Sequence, residues 1–459
     1  MEQALDASRK SLFIRLGAIV FFSELAHGML LYGIVPELVH NRFSKAINLF
    51  GVLPVRALEI AGICAAAYVL AELFFKLPAG HLVDQRGPDG PLRVGLILSL
   101  ITVPIILLSK NAYAMLLGTF LHGLGAAPIW PAVISSWTRG RIAAERGQIM
   151  GQILTVWMAG LGLGLILGNL LVSLTGRQEL AATYAPVLLW IITVAAALWG
   201  GQRLGVPARD GEDHDAGPQK LQLSPELKIM AVGLLIQNLA FGGLIFPFQA
   251  AVVEHFELNR AQFGLMVLLG AGPAVLLMGP MGKVSDRIGQ RNAVIRSMLV
   301  VAPLILLAPL LKYLPGGAWA RFVVMIPGLL VAGVAYALLL PAWHALALGR
   351  IPEQQRGRSL ALLMSVEMVA MAGGHIAGPS LYEKVGFWAP FVFTGVTFLV
   401  LALIYMAGYI LPPELPEESH TVDLSDPPSP GAGSVLSTEE LKRLRPEPGA
   451  SGPGFRSGE

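Results

Sequence analysis

Charge is scarce in this chain. Aspartate, glutamate, lysine and arginine make up 14% of its 459 residues, where soluble domains carry about a quarter. Hydrophobic residues make up 54%, which excludes a water-facing surface over most of the length and points to a chain solvated by lipid. Cysteine is scarcer still. Cys64 is the single one, so there is no disulfide framework and no zinc site built of thiolates. The sequence also lacks a glycine-rich phosphate loop, a nucleophile motif, and a second histidine after Glu24-x-x-His27 to complete a zinc helix. No cofactor, metal or nucleic-acid partner is expected, and no enzymatic activity.

Long apolar runs are what the chain has instead. Bilayer-spanning helices need about 17–25 such residues, and twelve runs qualify: 12–36, 59–79, 92–109, 112–137, 148–174, 184–204, 228–251, 262–280, 293–313, 320–346, 358–382 and 388–411. The first is too long, and follows too polar a start, for a cleaved signal peptide. With both ends placed in the cytoplasm, lysine and arginine on that side outnumber those opposite by about two to one, as the positive-inside rule requires. Residues 205–227 are polar and split the runs six and six. Residues 412–459 are rich in Pro, Gly, Ser and Glu without an apolar period. Ser437 and Glu440 there have capping-box spacing. The expected fold is an all-α membrane protein: a six-helix bundle over 1–204, a cytoplasmic linker over 205–227, a second bundle over 228–411, and a disordered cytoplasmic tail.

The halves repeat one another. GHLVDQRG (80–87) is echoed by GKVSDRIG (282–289), ELAHGML (24–30) by NLAFGGL (238–244), and TVWMAGLGLGLILGNLL (155–171) by SVEMVAMAGGHIAGPSL (365–381). Pro131 meets Pro341 in the same order. Ordered matches of this kind argue for a duplicated six-helix unit, and parallel repeats are how one large class of secondary transporters is built.

The repeated Gly-x-x-x-Asp-(Arg)-x-Gly, in basic loops between spans two and three and between eight and nine, resembles the signature of the major facilitator superfamily. The resemblance covers residues 12–411. The second copy follows the family pattern through Gly282, Asp286, Arg287, Gly289 and Arg291. The first keeps Gly80, Asp84, Arg86 and Gly87 but has Gln85 where the family usually has arginine. FLHGLGAAP (120–128) keeps a family glycine-alanine stretch, with Thr119 in place of its arginine. The fifth span lacks the Gly-Pro pair common in drug/proton antiporters, and Gly378-Pro379 stands in the eleventh instead. The resemblance implies alternating access gated by these loops. Their glycines would let two helices approach, and their aspartates would accept from N–H groups at a helix start. Their arginines would pair with acidic groups while the cytoplasmic side is closed.

A charged side chain at mid-membrane costs about 2.5–3.5 kcal/mol on insertion scales and marks a functional position. Glu24, His27, Glu72 and Glu367 are therefore the candidate proton-coupling residues. Glu24 and His27 share one helical face, and the repeat places Asn238 and Phe241 at their counterparts. Glu72 has Lys76 four residues on, so an in-helix ion pair is an equal reading. His375 is read as bonding a carbonyl opened by Pro379, and Glu59 and His344 as interfacial. The resemblance places a cavity between spans one, four, seven and ten. Tyr32, His122, Trp130, Gln237, Asn238, Phe241, Gln249 and Tyr336 are the candidate substrate contacts there. Aromatic and amide groups with few fixed charges suit an amphipathic or weakly cationic solute better than a phosphate, which would want paired arginines.

The expected function is proton-coupled export of such a solute across the cell membrane by a monomer, with the solute, protons and the bilayer as partners. The alternatives are a facilitator or importer of a neutral metabolite or lipid-like solute, and a non-transporting membrane scaffold or sensor.

Overall fold

The computed structural model describes residues 2–43, 45–138, 143–175, six positions between 187 and 194, 225–348 and 356–408. The 184–204 run falls mostly outside these residues. So do all but 225–227 of the linker, and the whole tail with Ser437 and Glu440.

The first span is one helix in three pieces: α1 (Glu2–His27), a π-helical stretch (Gly28–Ile34) and α2 (Val35–Arg42). Pro36 explains the change of register. It has no N–H to give the Tyr32 carbonyl, so an ordinary α turn would be broken there, and the widened turn precedes it. A short antiparallel hairpin follows, β1 (Ile47–Leu49) and β2 (Leu53–Val55), which the all-α expectation did not contain. Then come α3 (Ala57–Arg86), α4 (Asp89–Leu108), α5 (Ala112–Ala126), α6 (Ile129–Thr138) and α7 (Ala143–Thr175). The second half has α8 (Pro225–Glu254), α9 (Arg260–Ile288), α10 (Gln290–Leu307) with a 3-10 extension to Tyr313, α11 (Gly317–Leu348), α12 (Arg356–Lys384) and α13 (Ala389–Met406).

Ten helical stretches among the described residues are long and apolar enough to cross a membrane. The α12 helix is not one of them. Glu367, His375 and its glycines dilute its hydropathy, and it can carry them because it packs on α8 and α3. Among the described residues the halves meet mainly along two helix pairs, α3 with α12 and α7 with α9.

The internal repeat is written into the packing. In the first half α1 and the π segment lie on α7, and in the second α8 lies on α12. A Cβ on Gly164 would strike the Leu25 carbonyl, and one on Gly374 the Leu239 carbonyl. Gly168 sits against the Met29 carbonyl as Gly378 sits against that of Gly243, and Gly28 against Leu161 as Gly242 against Met371. Each pair is equivalent under the sequence repeat. Small residues let backbones approach this closely where lipid supplies no hydrophobic drive between helices.

Candidate functional site

A cluster of ionisable and aromatic side chains occupies the middle of the first half. The α1 helix brings Glu24 and His27 onto one face, and His27 Nδ1 lies 3.2 Å from Glu24 Oε2. Glu24 is buried, and the His27 Nε2 atom is buried with no hydrogen-bond partner. The His27 ring lies over Tyr68 of α3, centroids 4.2 Å apart. Tyr68 also approaches His122, at 5.6 Å. His122 Nδ1 is 3.1 Å from Thr102 Oγ1, whose hydroxyl donates to the Ser99 carbonyl. His27, Tyr68, Ser99, His122 and Trp190 line one crevice. His122 is thus placed beside His27, and the groups around it, Tyr68, Thr102 and Trp190, all belong to the first half.

Glu72 makes the in-helix pair, 2.8 Å from Lys76 Nζ. The ammonium also reaches Met368 Sδ of α12 at 3.7 Å, so the pair faces the other half. Glu367 lies apart from Glu24. It shares a crevice with Trp343 and His344, between α8, α11 and α12, so His344, near the end of its span, is a neighbour of Glu367. The structure brings three of the four coupling candidates to one half and leaves the fourth in the other.

Among the described residues, two buried side-chain hydrogen bonds cross between the halves. The Tyr32 hydroxyl is 3.3 Å from His375 Nε2, and His375 Nδ1 is 3.1 Å from the Gly242 carbonyl. The carbonyl is on α8, not one freed by Pro379 on the histidine's own helix. Gln249 donates to Asn169 Oδ1 at 3.0 Å. The other cavity candidates have protein partners. Gln237 Oε1 accepts from Trp343 Nε1 at 2.8 Å, and Asn238 folds back on the Leu234 carbonyl. Phe241 stacks on Tyr336 at 5.8 Å, and Trp130 meets Trp157 edge-on. Tyr68 and Asn169 went unread in the sequence. Tyr68 looks like ordinary aromatic packing, and Asn169 is separated from its partner by 80 residues of chain.

The motif loops have an unforeseen geometry. Gly87 and Gly289 end α3 and α9 at φ 77° and 86°, a region that favours glycine. Gly80 and Gly282 do not serve close approach in this state. A Cβ would meet Pro131 at 3.7 Å and Pro341 at 4.0 Å, ordinary contacts. That both glycines face the matching prolines is another mark of the repeat. Arg291 donates to the Tyr405 and Met406 carbonyls at 2.6 and 3.0 Å and so caps α13, where a helix C-terminus favours a cation. Arg86, Asp286 and Arg287 are exposed. The Asp84 side chain lies outside the described residues.

At the end of the molecule opposite these loops, ion pairs join the halves. Arg260 meets Glu37 at 2.6 Å and Arg56 meets Glu383 at 2.9 Å. Glu59 stands in the first turn of α3, at the span end expected of it, and is buried there: it caps the helix, accepts from Ser380, and lies 3.3 Å from Lys384.

A family model described as Major Facilitator Superfamily matches residues 17–228 and 230–448. The chain is similar to the proton-coupled antiporter flippase LtaA of Staphylococcus epidermidis, 21% identical over 407 residues that cover 86% of this chain and 94% of the relative. The LtaA of Staphylococcus haemolyticus is 22% identical over 401 residues, 85% and 93% of the two chains. Among solved structures, a D-xylose-proton symporter superposes with a TM-score of 0.69 at 14% identity, over 88% of this chain and 98% of its own. The human organic anion transporter MFSD10 gives 0.60 at 18%, over 86% and 99%. At such identities the structural likeness speaks for the fold alone.

Proposed function

The chain belongs to the Major Facilitator Superfamily of secondary transporters, and from that membership we propose a proton-coupled antiporter that exports an amphipathic compound. Its twelve spans are the ten apolar helical stretches, α12 and the 184–204 run. They form two bundles, 1–204 and 228–411, joined by a 205–227 linker. Both termini and the 412–459 tail are cytoplasmic, in the cell membrane, and the lysine and arginine bias supports this orientation. The motif loops are then cytoplasmic, and the end joined by Arg260–Glu37 and Arg56–Glu383 is external.

The observation that carries the coupling is the buried Glu24–His27 contact. Its carboxylate and imidazole stand inside a span, beside contacts that join the halves. Protons reach Glu24 and His27 when the cleft faces one side and leave when it faces the other, with Glu72 modulating the pair and Glu367 as a second site. Solute binding between the halves competes with that protonation, so each transit of solute is linked to a proton moving the other way. With the external end closed, Asp286 and Arg287 stand exposed. They engage, with Arg86 and Asp84, when the cytoplasmic side shuts.

The relatives' description as flippases favours a lipid-like member of the amphipathic class, which the aromatic and amide groups Tyr32, Trp130, Phe241, Tyr336, Gln237 and Asn238 can meet without fixed charge. The test is accumulation of a panel of amphipathic compounds in proteoliposomes, with and without an imposed pH gradient. Glu24→Gln is expected to abolish gradient-driven accumulation while expression stays intact. Unchanged accumulation in that variant sinks the proton role. Transport indifferent to the gradient in the parent protein points to a facilitator, and loss of activity on deleting 412–459 with the core intact points to a scaffold.

A further inference from the structure

The hairpin between the first two spans displays an apolar tip at a backbone cost. Phe50 has φ 55° and Gly51 φ 74°. Glycine or asparagine fills such turn positions without strain, whereas a bulky aromatic at positive φ is a genuine outlier. Strain of this kind persists only where the surroundings hold it. Here the Phe50 N–H donates to the Tyr113 hydroxyl at 2.8 Å, and the two rings meet edge-on. Leu49 and Val55 are buried in the core beneath. What this rigid frame presents outward is Phe50 at 68% exposure, Val52 at 84% and Leu53 at 44%.

The surroundings identify the occupant. Tyr113 opens α5 and Leu108 closes α4, so the tip stands at the level where two spans end. Tyr113 and Leu117 share a face of α5, and Ile101, Ile105 and Leu108 share one on α4. All five are exposed, and the tip prolongs this apolar strip. Lys45 and Lys110 flank it, both exposed. Apolar side chains between lysines, next to a tyrosine at a span end, match the boundary between acyl chains and phosphate headgroups. Three side chains cannot supply the roughly 800 Å² per partner of a stable dimer.

We propose that the Phe50–Leu53 tip is a membrane anchor that enters the headgroup–acyl boundary of the leaflet at that end of the transporter. The one native cysteine, Cys64, is fully buried, so a single new cysteine can be labelled selectively. Val52→Cys and Ala46→Cys, each carrying a nitroxide, are compared in vesicles of phosphatidylethanolamine and phosphatidylglycerol. Ala46 is exposed and directly precedes β1 at the hairpin base. The label at 52 is expected to collide more with oxygen than with a water-soluble nickel complex, and the label at 46 the reverse. Equal, water-like accessibility at both positions overturns the proposal. Spin–spin broadening between labels at 52 overturns it too, because it reports a second copy of the chain at the tip.

Discussion

His27 shows how a single side chain can be half committed. Its Nδ1 faces Glu24, while its buried Nε2 has no partner, and a buried polar atom left unpaired costs about 1–3 kcal/mol. Its neighbour Tyr32 is fully engaged and touches the other half through His375. The pair that titrates in the proposed cycle is thus adjacent to the pair that joins the halves. Outside the spans, His255 gives a prediction with a defined sign. Its ring lies 4.1 Å from that of Phe387, with Lys312 over the same ring and Glu254 adjacent. Burial, and then the Lys312 charge, lower its pKa against the smaller opposing pull of Glu254. The folded protein therefore takes up this proton at lower pH than the unfolded chain, whose histidines titrate near about 6.5. The stability this site contributes is present above that pH and is lost as pH falls toward the folded value. Melting temperatures from pH 7.5 to 5.5 should fall less steeply for His255→Gln than for the parent protein, and parallel curves would contradict the assignment.

Among the elements, the two glycine-lined helix pairs decide more than the motif loops do. An alanine at Gly374 would drive its Cβ into the Leu239 carbonyl, and overpacking of this kind costs about 1–3 kcal/mol. Gly374→Ala should lower the melting temperature in detergent and Gly164→Ala, its repeat partner, should do the same. Gly80→Ala has ordinary room against Pro131 and should melt with the parent protein, although the family motif makes it look the more sensitive position. Sequence signals explain which elements were legible. Hydropathy marks the long spans because lipid demands it of every exposed helix face, and the repeat shows through matched glycines. The spacing Glu24-x-x-His27 places two side chains together because a helix fixes that geometry by itself. The π-helical stretch has no such signature, since Pro36 reads equally well as a kink. The strands of the hairpin are three residues each, too short for an alternating pattern. Tyr32 and His375 are 343 positions apart, and no local period can announce that contact.

At the scale of the whole molecule, the charged links between halves among the described residues lie at the end away from the motif loops, so in the proposed cycle their strength sets how readily that end opens. The links differ in worth. Arg56 is 62% exposed where it meets Glu383, while Arg260 and Glu37 are 17% and 27% exposed. An exposed pair contributes about 0–1 kcal/mol and is screened by salt. Removing one partner of a more buried pair also leaves a charge unpaired, so Arg260→Ala should shift the balance of states further than Arg56→Ala. A shift of about 1.4 kcal/mol changes a two-state ratio tenfold. The expected outcome is a several-fold gain in the population open at this end for Arg260→Ala, and a smaller one for Arg56→Ala that fades at high salt. Distances between spin labels placed across that end on α2 and α9 would measure both populations in the same vesicles. If the two variants shift them equally, or if salt affects the Arg260 pair as much as the Arg56 pair, burial is not what ranks the links, and the closed end is held by helix packing such as that of Gly62 against the His375 backbone.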